Sequence, residues 1–565
     1  MKKKSLISNL CADYPVVCSL VAVLLLTVFS AFSMWQGREF YYLDTDCYTR
    51  WLRIVDWISG DFSWAEKVFP FTNCPNGEIL HFTRINDVIW LICSLPFMPF
   101  LPIKEAIFAG GLIFSPIMFF LILTVLMLGL KKFIGVTNFK KTSLFIFAFA
   151  VIFLAKSMVL EFGRPDHHSL MLLIAAFVAV CLLNMSERKM LFAGMAAAMG
   201  IWASSAPEGM LLAYGALAIL TLGVISYKKS FIYAQKYTLG LFVGVLLAFL
   251  INPPYGGYWQ CDNTRLSIIH VVVCGLTYIV FALADYINPK KVSHKILLLG
   301  GGALLSMILV VFMFGQSTIF APIYNAKIWD YFVPYISEMK PVLPSECIYL
   351  VLGALEILLL YRLFKRKKFG DMALYVLFFI YLPFAALVRR FLPYEILFYV
   401  MITAVLLSEL FKHSAKSEKY RWATLGLIVV NLLFCSSFSY AVKPVHTTYP
   451  KLEGCALTDI FFAPQLIYKT GATTIGSPYH NNVSGISDTV AIFSLSDENL
   501  IKRKLDQRNI KFIIVPNKKA DMQLEYLSKT PENSLYKTLV NGGKYDWLQN
   551  IGDTDGAYIF YEIIR

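Results

Sequence analysis

Apolar runs of roughly the 20 residues a bilayer requires recur along most of the chain, separated by short polar gaps. They fall at Pro15 to about Trp35 and then near 105–130, 142–160, 169–186, 190–205, 208–226, 237–252, 265–286, 296–316, 347–364, 371–388, 392–411 and 422–440. Read as helices, they make about 13 spans. The basic clusters Lys131-Lys132 with Lys140-Lys141, Arg188-Lys189, Lys228-Lys229, Lys290-Lys291, Lys365 to Lys368 and Lys412 to Arg421 occupy every second gap. Positive-inside bias puts those gaps in the cytoplasm, together with Lys2, Lys3 and Lys4. The apolar stretch after these lysines is long enough to be an uncleaved first span. Val88 to Ile103 is also apolar, but it carries Pro96, Pro99 and Pro102. Counted as a span it would put Lys131-Lys132 outside, so an interfacial or re-entrant helix is predicted there.

The pattern therefore predicts a mainly α, polytopic membrane helix bundle over 1–440 with long external loops at 36–104 and 317–346. The tail, 441–565, is polar. It has a turn-forming run Gly476-Ser-Pro-Tyr-His-Asn-Asn482, a predicted helix near 497–507 and a strand-like Ile510-Lys-Phe-Ile-Ile-Val515. Strand and helix signals together predict a soluble extracytoplasmic α/β domain.

Composition agrees: 57% of the 565 residues are apolar and 16% charged, with a mean hydropathy of +0.61. The net charge of +14 is spread over the gaps rather than gathered in one patch, which excludes nucleic-acid binding. The 11 cysteines include no Cys-x-x-Cys pair, so no zinc or redox motif follows. Cys47 and Cys74 share the first long loop and could pair if that loop is outside; free thiols are the alternative.

Ionisable residues beside apolar spans mark candidate sites. Asp166-His167-His168 stands between two spans, and under the charge rule Asp44 and Asp46, Glu208, Glu338 and Arg389-Arg390 reach the same external face. Asp44-Thr-Asp46 suits a hard divalent cation or a solvated loop. Asp166-x-His168, with Arg164 upstream, fits manganese or magnesium better than zinc, but Asp166 would serve equally as a helix cap. Glu208 follows Pro207, and both fit an ordinary first helical turn. Glu338, in the long loop, could complete a metal site or hold a substrate. Two arginines at an outer span end run against positive-inside bias and would clamp a phosphate or diphosphate.

In this order the motifs resemble the catalytic subunits of oligosaccharyltransferases and their single-subunit bacterial and archaeal forms, of the GT-C glycosyltransferase class. Asp44-Thr-Asp46 and Asp166-His-His168 resemble that family's two acidic loop motifs. Ile336-Ser-Glu338 is similar to its S-V-S-E or T-I-x-E motif, and Arg390-Phe-x-x-Tyr394 to its R-F-x-x-Y segment. The resemblance implies a divalent cation, Mn²⁺ or Mg²⁺, held by Asp46 or Asp44, Asp166 and His168, with Glu338 near the metal and the acceptor. It implies catalytic roles for Asp46, Glu338 and Asp166, and substrate contacts for Arg390, with Arg389, Arg164, Tyr394 and Glu208 around it. His167 is expected to be structural, on the opposite side of the local backbone. The family's W-W-D-Y-G motif does not occur after Tyr440.

The implied activity is transfer of a glycan from a polyprenyl-phosphate-linked carrier, a polyprenyl diphosphate, to an extracytoplasmic acceptor, which is an asparagine in protein or a glycolipid. The implied location is a bacterial-type inner (plasma) membrane, with the N-terminus cytoplasmic and the site outside. Two other readings are a GT-C transferase using a polyprenyl-monophosphate sugar to modify a lipid or polysaccharide, and a lipid-linked sugar flippase. The flippase reading expects midplane charges and internal repeats, and neither is visible. Asn482-Val-Ser484 is itself a glycosylation tripeptide, of a kind that arises often by chance.

Overall fold

A computed structural model describes residues 6–36, 39–60, 63–155, 157–319, 325–414, 417–435, 449–516, 525–554 and 558–564. The Lys2 to Lys4 cluster, residues 320–324 of the second long loop and the 440/441 boundary lie outside the described residues.

A helix occupies each of the expected apolar runs. Among the described residues, nine are long and apolar enough to cross a membrane, from Pro15–Trp35 to Arg389–Ser414. Four further helices at expected positions are shorter or carry more charge: His167–Leu183, Glu187–Ala203, Cys347–Arg362 and Glu418–Cys435. The chain is thus a multi-pass membrane protein in which nine spans meet both length and hydropathy and the expected total of about 13 rests on these four. Burial differs sharply along the bundle. The Arg389–Ser414 segment is 94% buried, whereas Val292–Phe314 is 11% buried and turns its side chains outward.

Val88 to Ile103 does not form a span. It contains the end of an 11-residue helix, Arg84–Ser94, too short to cross a bilayer, followed by turns as far as Leu101. That helix packs closely on the 32-residue helix Ile103–Ile134, where a Cβ at Gly111 would meet the Trp90 ring at 2.3 Å.

The C-terminal region is a small α/β unit. Strands β1 (Cys455–Leu457), β2 (Thr473–Thr474), β3 (Ile510–Pro516), β4 (Leu548–Asp553) and β5 (Tyr558–Ile563) form one sheet in the order β2-β1-β3-β5-β4. β2, β1 and β3 are parallel, while β5 and β4 are antiparallel. On β3, Phe512 and Ile514 enter one apolar core and Ile513 and Val515 the other. Burial on both faces explains why this strand reads as a continuous apolar run rather than an alternating one. The expected helix near 497–507 is Glu498–Gln507, capped by Asp497.

This unit sits on the first long loop. Tyr468 packs its ring 4.9 Å from both Tyr48 and Trp51 of helix Thr45–Ser59. Thr474 N–H donates to Phe71 O (2.9 Å), Cys74 N–H donates to Thr474 O (3.1 Å), and Asn481 Nδ2 donates to Ile79 O (2.8 Å). Cys74 is bonded to Cys455 at the start of β1, not to Cys47. Cys47 lies in the first turn of helix Thr45–Ser59 and is a fully buried free thiol in the bundle core, whereas Cys74 is carried on a hairpin against the sheet. Asn482 is 1% exposed and caps helix Val483–Ser494, so the side chain that would be modified is buried in the fold.

Candidate functional site

Two loops are pinned to each other and to helix Ile103–Ile134 before any side chain of the site is considered. Leu43 N–H donates to Gly163 O (3.0 Å), and Gly163 N–H donates to Leu112 O (3.0 Å). Gly163 has φ +82, and a Cβ there would stand 3.0 Å from Tyr41 O, so the turn favours glycine. The result is a fixed register between the Asp44 loop and the Arg164-Pro-Asp166 loop.

Asp44 is the N-cap of helix Thr45–Ser59, accepting from Asp46 N at 3.1 Å, and it also accepts from Arg164 Nη2 at 2.9 Å. The solvated-loop reading of this residue is therefore replaced by an ion-paired cap. Asp166 occupies the N-cap position of helix His167–Leu183 without capping it through its side chain. Its carboxylate turns instead to His167 Nδ1 (2.5 Å), His168 Nε2 (3.6 Å) and Arg50 Nη2 (3.8 Å).

Glu208 is held by a single π-helical turn, Ser205–Gly209. A Cβ at Gly209 would come within 2.4 Å of Ser204 O and 2.6 Å of Gly200 O, so only glycine allows this turn. The buried Glu208 accepts from Arg390 Nε at 2.7 Å, and His168 Nδ1 stands 3.3 Å from the same oxygen. Arg390 Nη2 lies 3.3 Å from both His167 Nε2 and His168 Nε2. Glu338, on a 3₁₀ turn of the second long loop, approaches Arg390 Nη1 at 3.8 Å and His168 Nε2 at 3.5 Å.

Asp44, Asp46, Arg50, Arg164, Asp166, His167, Glu338, Lys340 and Arg390 line one cavity of about 820 Å³ between the helix ends and the sheet unit. The sheet unit contributes Phe461, Gln465, Tyr479, His480 and Tyr526 to its wall. Of the expected residues, His168 and Arg389 are not on its wall; both line an adjoining cavity of about 90 Å³ that shares Arg164, Glu338 and Arg390 with the large one, and there Arg389 pairs with Glu346 through Nε at 2.9 Å. Tyr394 is buried against Tyr381 and Phe391 and does not reach the cavity, while Glu208 lies behind His168 rather than on the wall.

Among the described residues, the side chains whose ligand atoms all fall within 4.8 Å of one another are Asp166, His167 and His168. His167 therefore stands inside the cluster rather than on the opposite side of the backbone. Its ring is 4.1 Å from that of His168, the two imidazoles standing side by side in the first turn of the helix, with His167 on the wall of the large cavity and His168 on that of the smaller one. Arg50 also escapes a reading confined to acidic loop motifs. Its signal is its place four residues after Asp46, on the same face of one helix.

The carboxyls divide electrostatically. Burial and the neighbouring Asp44 and Asp166 push Asp46 well above the usual carboxyl range, and burial also raises Asp44 against the pull of Arg164. Asp166 is held well below that range, because His168, His167 and Arg50 outweigh its burial. Arg390 and His168 similarly overcome burial at Glu338 and hold it down to about 2.

No protein-family model matches the chain, and no curated protein matches it by sequence. Solved structures do. The archaeal oligosaccharyltransferase AglB from Archaeoglobus fulgidus, in complex with an inhibitory peptide and a dolichol-phosphate, superposes with a TM-score of 0.66 at 15% identity. That alignment covers 97% of this chain and 74% of that one. The apo form of the Archaeoglobus fulgidus oligosaccharyltransferase gives 0.64 at 16% identity, covering 88% and 69%. Its complex with Zn and sulfate gives 0.63 at 16% identity, covering 88% and 68%. At this level of identity the likeness establishes a shared fold.

Proposed function

We propose that this protein is a metal-dependent membrane glycosyltransferase of oligosaccharyltransferase type. It moves a glycan from a polyprenyl-diphosphate-linked donor to an extracytoplasmic acceptor. The observation that carries this reading is the meeting, in one cavity, of acidic side chains from three separate loops with the Arg390 guanidinium. The fold shared with the archaeal enzyme supports it, as do the dolichol-phosphate and peptide bound to that enzyme.

Asp46, Asp44, Asp166, His168 and Glu338 are the residues that would hold the divalent cation. The donor set suits Mn²⁺ or Mg²⁺, since carboxylate oxygens predominate and one or two imidazoles join them. Local charge fits as well: crowding of Asp46 by Asp44 and Asp166 is what a bound cation would relieve. The cavity lining carries four carboxylates and four cationic side chains, so a divalent ion would leave it with the net positive charge that a diphosphate needs. When bound, the cation stabilises negative charge on the departing phosphate.

Each protein group has a separate task. Arg390, oriented by Glu208, donates to the diphosphate oxygens, where a preorganised charge favours the transition state over the ground state. Arg164 fixes Asp44. Glu338 is placed to accept a hydrogen bond from the incoming acceptor nucleophile while keeping contact with His168 and Arg390. Tyr394 packs behind Arg390 and supports the segment that carries it.

In this reading residues 1–440 form the catalytic membrane domain, 441–565 form the soluble domain, and both the cavity and the soluble domain face away from the cytoplasm in a bacterial-type inner membrane. The Cys74–Cys455 bond supports that orientation, since disulfides persist in oxidising compartments. The sheet unit presents Phe461, Gln465, Tyr479 and His480 to the cavity in place of a Trp-Trp-Asp motif. This favours an acceptor other than an asparagine sequon, a glycolipid or polysaccharide among them, and keeps the monophosphate-donor transferase as the second reading.

The test is glycan transfer in membranes supplied with Mn²⁺ and lipid-linked donor. Asp166→Ala and Glu338→Ala should abolish it, and retained transfer in both would reject the metal-transferase reading. Mass spectrometry of envelope glycolipids and extracytoplasmic proteins, with and without the chain, identifies the acceptor.

A further inference from the structure

The first long loop encloses a cavity of about 260 Å³ that shares no lining residue with the two cavities described above. The buried side chains of Arg53, Trp57, Glu66 and Arg84 form its floor, and the exposed Asp56 and Lys67 stand on its rim. It is fixed to the end of a membrane helix. Asn252, the residue after helix Phe231–Ile251, accepts from Arg84 N–H (2.9 Å) and Trp202 Nε1 (3.1 Å) and donates to Glu66 Oε1 (3.0 Å) and Trp64 O (2.9 Å). The Trp57 and Trp64 rings pack 5.5 Å apart beside it. A span end ringed by tryptophans is the depth at which bilayer headgroups lie.

The charges of the floor balance, but its hydrogen bonds do not. Arg53 Nη2 donates to both Glu66 oxygens (3.1 and 3.0 Å) and stands 3.4 Å from Asp87 Oδ2, to which Arg84 Nη1 donates at 3.3 Å. Arg53 Nη1 and Arg84 Nε nevertheless have no hydrogen-bond partner, although each side chain is only 5% exposed. A network serving only to hold the loop would match these donors, because burying an unmatched N–H is costly. The Arg84 guanidinium carbon lies 4.6 Å from the centre of the Trp57 ring, and this stacking keeps the planar fork in one orientation. The two side chains therefore present preset donors to an oxyanion. Glu66 and Asp87 offset the two arginines, and Asp56 offsets Lys67, so the site has no formal net charge to attract a bare anion. A ligand carrying both a phosphate and an ammonium group meets guanidiniums on the floor and a carboxylate on the rim.

We propose that this cavity binds the phosphoethanolamine headgroup of a membrane phospholipid. Arg53 and Arg84 hold the phosphate, Asp56 holds the ammonium, and the acyl chains stay in the bilayer. The site is separate from glycan transfer, and no covalent step takes place in it.

The experiment titrates the purified full-length protein, in a nonionic detergent, with dihexanoyl phosphatidylethanolamine, dihexanoyl phosphatidylglycerol and O-phosphoethanolamine, and reads binding by calorimetry. Wild type should bind the ethanolamine lipid at least about fivefold more tightly than the glycerol lipid, and more tightly than the headgroup without chains. Arg84→Gln should weaken both lipids about tenfold, since both carry the phosphate. Asp56→Asn should weaken the ethanolamine lipid about fivefold and leave the glycerol lipid within about twofold, since only the first carries an ammonium. Asp56→Asn is an isosteric change on the exposed rim, so it decides the case if Arg84→Gln does not fold. Absence of binding, an equal or reversed lipid preference in wild type, or an unchanged preference in Asp56→Asn overturns the proposal. O-phosphoethanolamine binding as tightly as the lipid would give the cavity to a soluble zwitterion and overturn the membrane assignment.

Discussion

Arg390 Nε donates to Glu208 Oε1 at 2.7 Å across 182 residues of sequence, and the Glu208 side chain has no exposed surface. This pair ties the mouth of one span to the end of another and points the guanidinium at His168. Breaking a buried pair from one side leaves a charge without its partner, which costs about 3–5 kcal/mol. Glu208→Gln should therefore lower the thermal unfolding midpoint and reduce transfer at least about tenfold, with the larger effect on donor KM. Unchanged KM with a lowered midpoint would mean that the pair serves stability alone.

Adjacent arginines should behave differently. Arg389 faces Glu346, and its backbone N–H donates to Lys340 O (2.9 Å), so it anchors the second long loop. Arg390→Ala should abolish transfer, whereas Arg389→Ala should leave kcat within a few-fold of wild type and show its cost in stability. Equal loss of activity in the two variants would restore Arg389 to the donor site.

The junction between the first long loop and the sheet unit should weaken as pH rises. Glu78 is fully buried, accepts from Ser477 Oγ at 2.5 Å, and burial pushes its carboxyl up to about 7. Its ordinary value is near 4.5, so the folded state binds the proton more tightly between those values. Stability from this group is complete below about 4.5 and is lost as pH rises through about 7. Glu78→Gln should flatten that part of the profile of unfolding midpoint against pH, and an unaltered slope would show that another group is responsible.

The Cys74–Cys455 bond closes a loop of 381 residues between the membrane bundle and the sheet unit. Reduction, or Cys74→Ser, should cost roughly 2–4 kcal/mol and expose the 69–78 hairpin to proteolysis. Cys47→Ser, at a buried free thiol, should leave both the hairpin protection and the effect of reductant unchanged. Protection of the hairpin after reduction would show that the backbone hydrogen bonds to Phe71 and Cys74 suffice.

Metal dependence should appear as loss of transfer on chelation and its return with Mn²⁺ or Mg²⁺. Added Mn²⁺ should also raise the unfolding midpoint of wild type but not of Asp166→Ala. An equal shift in both would place the ion elsewhere.

Hydrophobic periodicity and the alternation of basic gaps were enough to locate the long apolar helices of the bundle, because a bilayer imposes a length and a polarity on each element separately, but not the shorter helices Leu6–Asp13 and Thr45–Ser59. The strand Ile510–Pro516 and the helix Glu498–Gln507 were legible for the same local reason. Short motifs drew attention to Asp44, Asp46, Asp166, His168, Glu338 and Arg390, all ionisable groups where such groups are costly. Their partners were not legible. That Cys74 meets Cys455, that Arg389 turns away to Glu346 while Arg390 turns in to Glu208, and that Arg50 and His167 join the cavity depend on which helix faces are opposed. The sequence by itself determined the elements and the unusual charges between them, because burial and solvation act on each segment alone. Only the tertiary structure decided which charges share a cavity, because pair electrostatics depends on distances between segments hundreds of residues apart.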